Sequence, residues 1–349
     1  MPYVDYIVVG GGISGSVLSY TLMKHGASVH LFDVPNENMS SKVAAGLWNP
    51  IVLKRMKKVW MADEMMEVLH EVYPDMEAWT HKSFFEPLPL RRVFHNPGEQ
   101  NTWMELSDQQ SFAPFLQDSI EPTPSAIIAE YGSGLTKGTG RLQVNTMMTA
   151  VREKLRETKS FTEEYFNWEA VEPHSEGVQY KDIRAHAIIS CEGTQMALGK
   201  SQLNQHGFSP VKGEILTVQL NGDLGKECIH QGHFMLGEED QKATIGATYA
   251  WEGFEEGPTP KAKEELIQHI DKVWAEKYEV IDHYAGTRPA TKDRRPIIGP
   301  HPEKENVWVF NGMGSRAVLM VPYLAQNMAE HLLYGVPLIK ECDPARFKN

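Results

Sequence analysis

The chain contains 349 residues, enough for two domains at roughly 150 residues each and too few for three. Hydrophobic residues make up 41% and charged residues 23%, a composition that indicates a globular protein and excludes a disordered one. Lys and Arg number 34 against 46 Asp and Glu, which leaves a formal net charge of −12. Because this acidic balance repels phosphate backbones, general nucleic-acid binding is disfavoured, although a local basic patch stays open.

The three cysteines, Cys191, Cys228 and Cys342, are too widely spaced for a zinc site or a disulfide framework, which fits a reducing compartment. The 14 histidines show no metal-ligand spacing, so we predict no metal. The first residues lack a basic leader with a cleavage site, and no apolar run approaches the roughly 20 residues of a membrane helix. We therefore expect a cytoplasmic protein without a membrane span.

The strongest pattern lies at the start of the chain, where two apolar strands flank a glycine-rich turn and a helix. Residues 6–9 read as a buried parallel strand, and residues 28–32 read as a second strand that ends at Asp33. Between them, a G-x-G-x-x-G turn with glycines at 10, 12 and 15 opens an apolar-periodic helix. This order of elements predicts a βαβ unit that binds a dinucleotide.

The glycine turn and the acid each have a mechanical role in holding a dinucleotide. The first glycine permits the tight turn, the second lets a pyrophosphate approach the backbone, and the third lets the helix pack closely on the strand. The helix N-terminus offers unpaired N–H groups to the phosphates, and the acid can accept hydrogen bonds from ribose hydroxyls. The predicted contacts in this unit are Gly10, Gly12, Ile13, Ser14, Gly15, Asp33 and Val34.

Residues 39–50, MSSKVAAGLWNP, resemble the segment beside the flavin in the D-amino-acid oxidase family, which includes glycine oxidase and sarcosine oxidase. Small residues suit that place because backbone must lie close against a cofactor, and hydroxyl and ammonium groups can donate to phosphate oxygens. Without the glycine turn upstream, the stretch would read as a plain loop with a solvated lysine. The resemblance assigns to FAD the residues Ser40, Ser41, Lys42, Ala44, Ala45, Gly46 and Leu47.

Further segments follow the order of that family. Residues 140–157 read as a short strand and an amphipathic helix, 166–171 as a strand whose backbone meets the adenine, and 187–193 as an apolar strand ending near the cofactor. A strand over 307–310 precedes a long helix over 316–333, whose N-terminus in the family points at the flavin pyrimidine edge and stabilises negative charge there. The implied cofactor contacts are Val171, Cys191, Glu192, Gly193, Gly286, Arg288, Gly312, Met313, Gly314, Ser315, Arg316 and Ala317.

The resemblance implies an α/β protein with a Rossmann-like FAD-binding domain and a second, mostly antiparallel β-sheet substrate domain. The FAD-binding domain would comprise residues 1–60, 135–210 and 285–349, and the substrate domain 61–134 and 211–284. In relatives that tether FAD covalently, a cysteine precedes the last strand. Since none of the three cysteines lies in 285–300, we expect FAD to be held non-covalently.

In the family, a hydride moves from the substrate α-carbon to the flavin, so a C–N bond is oxidised to an imine that water hydrolyses. The protein then needs to orient the carbon and anchor the substrate carboxylate, and arginine is a planar, bidentate anchor. Arg288, in the segment Gly286-Thr287-Arg288-Pro289, is the candidate. The alternative is a structural ion pair of Arg288 with Asp293 or Glu214.

The substrate pocket is where the sequence departs from the family. A tyrosine that helps to hold the carboxylate in relatives corresponds here to Phe234, or to His233 if the register slips by one, and Tyr249 or Tyr323 could replace it. Arg316 stands where relatives often carry glycine, and it could pair with the flavin, with a substrate anion, or face solvent. The basic run 54–58 reads as a solvated helical face, or else as a mouth in which Arg55 contacts the substrate. Trp48 is a further tentative pocket residue.

Three functions follow from these patterns. The leading one is oxidation of a small amino acid or secondary amine by an FAD enzyme, with oxygen, a quinone or a carrier protein as electron acceptor. The second is an FAD-dependent tRNA-modification enzyme, which the basic run favours and the net charge opposes. The third is a non-catalytic flavoprotein subunit of a larger dehydrogenase, compatible with the phenylalanine at 234. A homo-oligomer is compatible with all three.

Overall fold

A computed structural model describes residues 2–34, 40–203 and 206–347. Within these residues the helices are α1 (Ile13–Lys24), α2 (Ser40–Val43), α3 (Ala62–Thr80), α4 (Pro97–Ser107), α5 (Val144–Glu157), α6 (Thr194–Ala197), α7 (Pro260–Val273) and α8 (Ala317–Tyr334). The strands of the first half are β1 (Tyr3–Val9), β2 (Val29–Phe32), β3 (Leu47–Trp48), β4 (Ile51–Val52), β5 (Lys57–Lys58), β6 (Phe85–Pro87), β7 (Leu90–Val93), β8 (Ser133–Thr136), β9 (Gly140–Leu142) and β10 (Phe161–Thr162). The remaining strands are β11 (Val171–His174), β12 (Gly177–Tyr180), β13 (Ile183–Ser190), β14 (Val211–Leu220), β15 (Cys228–Gln231), β16 (His233–Gly237), β17 (Lys242–Gly246), β18 (Tyr278–Arg288), β19 (Ile297–Pro300) and β20 (Val307–Asn311).

The larger sheet has eight strands and carries the glycine turn between its first strand and first helix. Strands β10, β2, β1, β13 and β20 run parallel, so their carboxyl ends meet at one edge. Both faces are covered, because Tyr6 and Val8 pack into one core with α1 and α8 while Ile7 and Val9 pack into another. Burial on both faces explains why β1 reads as a continuous apolar run.

The second sheet has seven strands in the order β18-β14-β17-β16-β15-β7-β8. All neighbours are antiparallel except β15 and β7, which confirms the mostly antiparallel sheet expected for this part of the chain. One face is apolar and packs against α7, whose buried side of Leu266, Ile270 and Val273 meets Leu216 and Ile245. The opposite face is therefore the one free to line a pocket.

Two strands of the second sheet extend across the predicted domain boundaries. The larger sheet draws its strands from residues 3–32, 161–190 and 297–311. In the second sheet, the boundary drawn at 134/135 passes through β8, and the boundary at 284/285 passes through β18. The domain boundaries themselves remain predictions.

Two local predictions are wrong. Residues 166–171 do not form a strand, because Trp168–Ala170 is a 3-10 turn and β11 begins only at Val171. The Asn167 side chain caps this turn by accepting from the Glu169 N–H at 3.1 Å. The basic run is not a helical face but the end of a β-hairpin of β4 and β5. Its alternating buried residues Ile51, Leu53 and Val59 hold the hairpin against the core, so the intervening cations point outward.

The cysteine side chains contribute to packing. Cys191, Cys228 and Cys342 are buried free thiols, and Cys191 belongs to the main core, as its apolar strand predicts. Over residues 2–34, 40–203 and 206–347, no helix is long and apolar enough to cross a bilayer. Within the same ranges, no three His, Cys, Asp or Glu side chains are grouped to hold a metal ion.

Candidate active site

The predicted cofactor residues converge on the edge where the parallel strands of the larger sheet end. Register pairs Val9 with both Phe32 and Ser190, and Ser190 with Val309, so these four strands end at the same level. The segments that follow them contain Gly10, Asp33, Cys191 and Gly312 as their first or second residues. Ligands of open parallel sheets bind outside the carboxyl ends of the strands.

Two glycines of the turn, Gly10 and Gly15, lie too close to neighbouring backbone to carry a side chain. Gly10 has φ +99°, and a Cβ there would lie 2.6 Å from the Cys191 carbonyl oxygen. A Cβ at Gly15 would overlap the Gly10 carbonyl oxygen, so α1 sits on the turn at a distance that only glycine allows. Helix α1 has no acidic residue in its first turn and no side-chain cap at Gly12, which leaves its N-terminus electrically positive.

Asp33 is buried and forms an ion pair that the sequence did not indicate. Arg152 on α5 donates from Nη2 to Asp33 Oδ2 at 2.9 Å and to the Gly11 carbonyl oxygen at 3.0 Å. Both side chains are almost fully buried, at 7% and 5% exposure. The one clue in the sequence was that Arg152, a charged residue, falls on the apolar side of the amphipathic helix α5. Asp33 remains the predicted ribose acceptor, now held by this arginine.

Helix α2 places the second predicted cofactor segment against the glycine turn. The Ile13 N–H donates to Ser41 Oγ at 3.2 Å. Ser40 Oγ donates to the Thr287 carbonyl oxygen and lies 2.6 Å from Thr194 Oγ1. The start of α1, the segment after β13 and the last residues of β18 are thereby joined within one layer of hydrogen bonds.

Close backbone contacts continue along this layer. Gly46 has φ +78°, and a Cβ there would overlap the Leu142 carbonyl oxygen. A Cβ at Gly286 would lie 3.1 Å from Val43. The predicted contacts Lys42, Ala44, Ala45 and Leu47 share this segment, with Lys42 at the end of α2 and Leu47 starting β3. Small residues therefore occur where the second sheet approaches the glycine turn.

The segment between β20 and α8 lies at the same edge. Gly312 and Gly314 have φ +84° and +58°, and Asn311 Nδ2 donates to the Gly193 carbonyl oxygen at 3.1 Å. Helix α8 begins at Ala317 with no acidic residue in its first turn and no side-chain cap, so a second positive helix N-terminus faces this region. Ser14, Val34, Glu192, Met313 and Ser315 belong to the segments that follow these strands. Val171 pairs with Tyr180, which pairs with Ile183 at the amino end of β13, so its predicted cofactor contact remains a prediction.

The Glu192 carboxylate is directed into the protein. It accepts hydrogen bonds from Ser190 Oγ at 2.7 Å and Ser201 Oγ at 2.9 Å, and burial raises the pKa of this carboxyl. These contacts explain the side chain structurally, so a contact between Glu192 and a cofactor would use its backbone.

Arg288 lies at the end of β18, one residue beyond the Thr287 carbonyl that binds Ser40. Its guanidinium lies flat over Gly213, where a Cβ would overlap it, and its Cζ lies 4.7 Å from the centroid of the Tyr249 ring. Nη1 donates to the Thr248 carbonyl oxygen at 3.3 Å, its one acceptor within the described chain. Burial lowers the pKa of this guanidinium, and Tyr249 raises it.

Neither alternative ion-pair partner of Arg288 contacts it. Glu214 lies 3.2 Å from Lys212 Nζ, and Asp293 lies 2.8 Å from Arg346 Nε. In the described residues, Arg288 forms no ion pair at all. A guanidinium has five N–H donors, so most of those of Arg288 have no acceptor among the described residues.

Strand register decides between Phe234 and His233. Phe234 pairs with Gly246, which in turn pairs with Ile215 on β14. Ile215, Gly213 and Val211 are alternate residues of β14 and point to one face. Gly213 pairs with Gly286, and Val211 pairs with Arg288. Directly paired residues point to one face, so Phe234 and Arg288 share the face away from α7. His233 points to the other face, where it lies 3.1 Å from Glu265 and meets the His269 ring edge-on.

The remaining pocket candidates occupy different environments. Tyr249 is 58% exposed under the Arg288 guanidinium. Trp48 is 1% exposed, stacks on Phe85 at 4.4 Å between ring centroids and donates from Nε1 to the Gly138 carbonyl oxygen at 2.8 Å. These packing contacts are sufficient to explain why Trp48 is buried. Its role in the substrate pocket remains a prediction. Arg55 is exposed in the hairpin turn.

These features fit a bound FAD. The glycine turn, the close backbone contacts at Gly46 and Gly286, and two uncapped helix N-termini provide room and positive potential along one continuous edge. The fold and the site therefore define a flavin-binding enzyme with two main sheets, in which Arg288 lies beside the cofactor edge.

Comparison with known proteins gives the family. Residues 5–331 match the family of FAD-dependent oxidoreductases designated DAO, and the chain belongs to it. Glycine oxidase of Bacillus licheniformis is 24% identical over 97% of this chain and 95% of its own length. The solved structure of glycine oxidase from Geobacillus kaustophilus superposes with a TM-score of 0.80 at 18% identity and covers all of both chains.

A relative with a different printed function also matches. The tRNA 5-methylaminomethyl-2-thiouridine biosynthesis bifunctional protein of Idiomarina loihiensis is 20% identical over 93% of this chain. The match spans 55% of that longer protein. The family and its FAD dependence confirm the resemblance predicted from the sequence, and they leave the substrate to be argued from the pocket.

Proposed function

We propose that this enzyme oxidises the C–N bond of a small amino acid or secondary amine. The observation that carries the proposal is Arg288, a partly buried guanidinium without an ion pair in the described chain, placed next to the FAD edge. A carboxylate matches its unpaired donors in charge and in bidentate geometry. The glycine oxidase relatives, whose names state that they act on such a compound, support the same choice.

The pocket holds the substrate and FAD supplies the electron-accepting chemistry. When bound, FAD would supply a hydride acceptor for the substrate carbon, so that the C–N bond is oxidised to an imine, with the amine proton released to solvent. Water would then hydrolyse the imine to an oxo acid or aldehyde and a free amine or ammonia. Arg288 fixes the carboxylate. The lack of a side chain at Gly213 lets the guanidinium lie close against the sheet, because a Cβ there would be 2.1 Å from Arg288 Nη2. Phe234 supplies an apolar wall that excludes water from the reacting carbon.

The deciding experiment is anaerobic mixing of the holoenzyme with a panel of amines, followed by the visible absorption of the flavin. Glycine, N-alkyl glycines, D-amino acids and L-proline test chain length, nitrogen substitution and chirality. Bleaching by one group establishes amine oxidation and ranks substrates by rate. An intact flavin that no compound bleaches contradicts the proposal and favours a non-catalytic flavoprotein subunit.

A tRNA-type substrate is a second candidate, favoured by the relative from Idiomarina loihiensis and by two exposed aromatic rings beside the pocket. Tyr249 and Trp251 are 58% and 67% exposed, and rings of this kind can stack on an unpaired base. Binding to tRNA that weakens steeply with salt would support this candidate. Absence of binding at low salt would eliminate it, and we regard the small amine as the better substrate because the net charge is −12.

The proposal extends to the electron acceptor, the cellular location and the oligomeric state of the enzyme. We expect oxygen, a quinone or a carrier protein to reoxidise the flavin, and hydrogen peroxide formed in stoichiometric amount would identify oxygen. A cytoplasmic location and a homo-oligomer remain predictions. Fractionation and light scattering are the measurements that test them.

A further inference from the structure

We propose that Tyr73 is a positioning residue for the flavin, because its hydroxyl completes the first turn of the helix whose N-terminus faces the cofactor edge. The hydroxyl donates to the Val318 carbonyl oxygen, which a proline within α8 leaves without its usual donor. The proposal rests on FAD binding at this edge and on no particular substrate. It is therefore tested separately from the proposed amine oxidation.

Val318 is the second residue of α8, and its carbonyl lacks the partner that a regular helix supplies. In an α-helix a carbonyl accepts from the N–H four residues later, and that residue is here Pro322, which has no N–H. Both residues are buried, so water has little access to replace the missing donor. Because a buried carbonyl without a donor destabilises a fold, another element has to supply one.

Helix α3 supplies that donor. Tyr73 is 0% exposed, and its hydroxyl donates to the Val318 carbonyl oxygen at 2.9 Å. The Tyr73 ring is held by Phe85, whose centroid lies 5.5 Å away and which itself stacks on Trp48. Burial raises the pKa of Tyr73 well above the ordinary value for tyrosine, so the hydroxyl keeps its proton and remains a donor.

The peptide group that accepts from Tyr73 belongs to the positive end of α8. This group joins the Val318 carbonyl to the Leu319 N–H, and in a helix that N–H points towards the N-terminus. A hydrogen bond to the carbonyl polarises the whole peptide group and strengthens the partial positive charge on its N–H. The first turn of α8, which is fully described, has no acidic residue and no side-chain cap that would offset this charge.

The hydroxyl should thereby affect the reduction potential of bound FAD. Reduced flavin gathers negative charge at its pyrimidine edge, which the resemblance to the family places at the N-terminus of α8. A more positive helix end stabilises the reduced form more than the oxidised form, so it raises the potential. Tyr73 contributes to this effect through Val318, from a helix outside the predicted cofactor segments.

A second tyrosine provides a matched control at the other end of the same helix. Tyr6 is buried, and its hydroxyl donates to the Leu332 carbonyl oxygen at 3.2 Å. Leu332 lies about 21 Å further along α8 than Val318, at about 1.5 Å per residue. Since the influence of a helix terminus falls off within one turn, the Tyr6 hydroxyl should not affect the flavin.

The experiment measures the two-electron reduction potential of the holoenzyme by equilibration with a reference dye, without any amine. Tyr73→Phe should lower the equilibrium constant for flavin reduction about threefold to tenfold, which is a potential about 14 to 30 mV lower at about 30 mV per tenfold. Tyr6→Phe should leave the potential unchanged. Both variants should lower the midpoint of urea unfolding of the apoprotein, because each removes the donor of a carbonyl in α8.

Pro322→Ala separates the role of the hydroxyl from that of ring packing. It restores an N–H four residues after Val318, so adding it to Tyr73→Phe should bring the equilibrium constant back to within about twofold of that of the unaltered protein. If Tyr73→Phe alone fails to fold or to retain FAD, the double variant should recover both properties. A double variant that also fails would show that the hydroxyl is needed for another purpose, and the inference would be wrong.

The other contradicting outcomes are equally specific. An unchanged potential in Tyr73→Phe overturns the inference, and so does a lowered potential that Pro322→Ala does not restore. Equal losses of potential in Tyr73→Phe and Tyr6→Phe would indicate a general loosening of α8 instead. A holoenzyme whose flavin no amine reduces would refute the proposed function and leave this inference intact, because the potential is measured without substrate.

Discussion

At the scale of single residues, Arg288 and Arg152 have opposite electrostatic situations. Arg152 is paired with a buried acid and completes the fold, whereas Arg288 is partly buried with most of its donors unpaired. An unpaired, partly desolvated cation costs folding free energy, and a protein retains it where a ligand compensates the charge. This contrast separates the structural arginine from the ligand-binding one.

Arg288→Ala should remove carboxylate recognition and retain FAD, because the guanidinium contacts the pocket rather than the glycine turn. We expect kcat/KM for amino-acid substrates to fall by about 30- to 1000-fold. Steady-state kinetics and the visible spectrum of the purified variant measure the two effects. Activity at normal affinity would show that another group anchors the carboxylate.

Arg152→Met should destabilise the apoprotein by about 3–5 kcal/mol, because it leaves the buried Asp33 carboxylate without its partner. Adding Asp33→Asn should restore most of that stability. Urea unfolding of the two variants measures this coupling. FAD titration adds the second readout, since an Asp33 that also binds ribose hydroxyls leaves the double variant stable but weak in FAD affinity.

At the scale of elements, strand register and helix packing determine which predicted residues reach the site. The period of two in β16 puts adjacent residues on opposite faces of the second sheet. The close contact of α1 with the glycine turn depends on the lack of a side chain at Gly15. Each feature gives a test in which a neighbouring residue serves as the control.

Phe234→Tyr should place a hydroxyl on the Arg288 face and lower the KM for carboxylate substrates by about threefold to tenfold, with little change in kcat. His233→Asn should leave KM unchanged, because that side chain faces Glu265 and His269. Equal effects of both changes would mean that the register does not separate the two residues in the working enzyme.

Gly15→Val should abolish FAD binding, because any Cβ there overlaps the Gly10 carbonyl oxygen and forces α1 away from the turn. The ratio of flavin to protein absorbance in the purified variant measures the loss. Ser14→Ala, the control, only shortens a side chain in the same helical turn. The purified Ser14→Ala variant should therefore retain most of its FAD. Full flavin content in the valine variant would contradict the close approach.

At the scale of the whole molecule, buried histidines set the response to acid. Burial, with the charges of Arg92, His269 and His233, lowers the pKa of His230 to about 3. Burial, with His233, Lys272 and His95, lowers the pKa of His269 to about 4. Both are neutral in the folded protein at pH values where an unfolded chain, with pKa 6.5, already binds protons.

The free energy of unfolding should therefore fall as the pH drops from 6.5 towards 4. Each of the two histidines contributes on the order of 1.4 kcal/mol per pH unit in that window, and nothing above it. Urea unfolding at pH 7, 6 and 5 measures the slope, which His269→Gln should reduce. His81→Asn, at an exposed position, serves as the control, and an identical slope in both variants would refute the assignment.

The sequence predicts features formed by residues close together in the chain better than features formed by distant residues. The strand, glycine turn, helix and acid of residues 6–33 are local, so their order alone predicted the dinucleotide unit. The 19-residue helix α3 was not predicted, although its buried residues lie on one side, and it contains a proline at Pro74. Proline normally ends helices, and here tertiary packing against α8 outweighs that preference.

What the sequence determined by itself is a dinucleotide-binding unit, because glycines at this spacing between a strand and a helix fit one local geometry. The resemblance of residues 39–50 to the D-amino-acid oxidase family then predicted FAD and its chemistry. What only the tertiary structure decided is the pocket. The pairing of Arg152 with Asp33 and the shared face of Phe234 and Arg288 join segments far apart in the chain. No local pattern records such contacts, because they arise from strand register and loop packing that the whole fold sets at once.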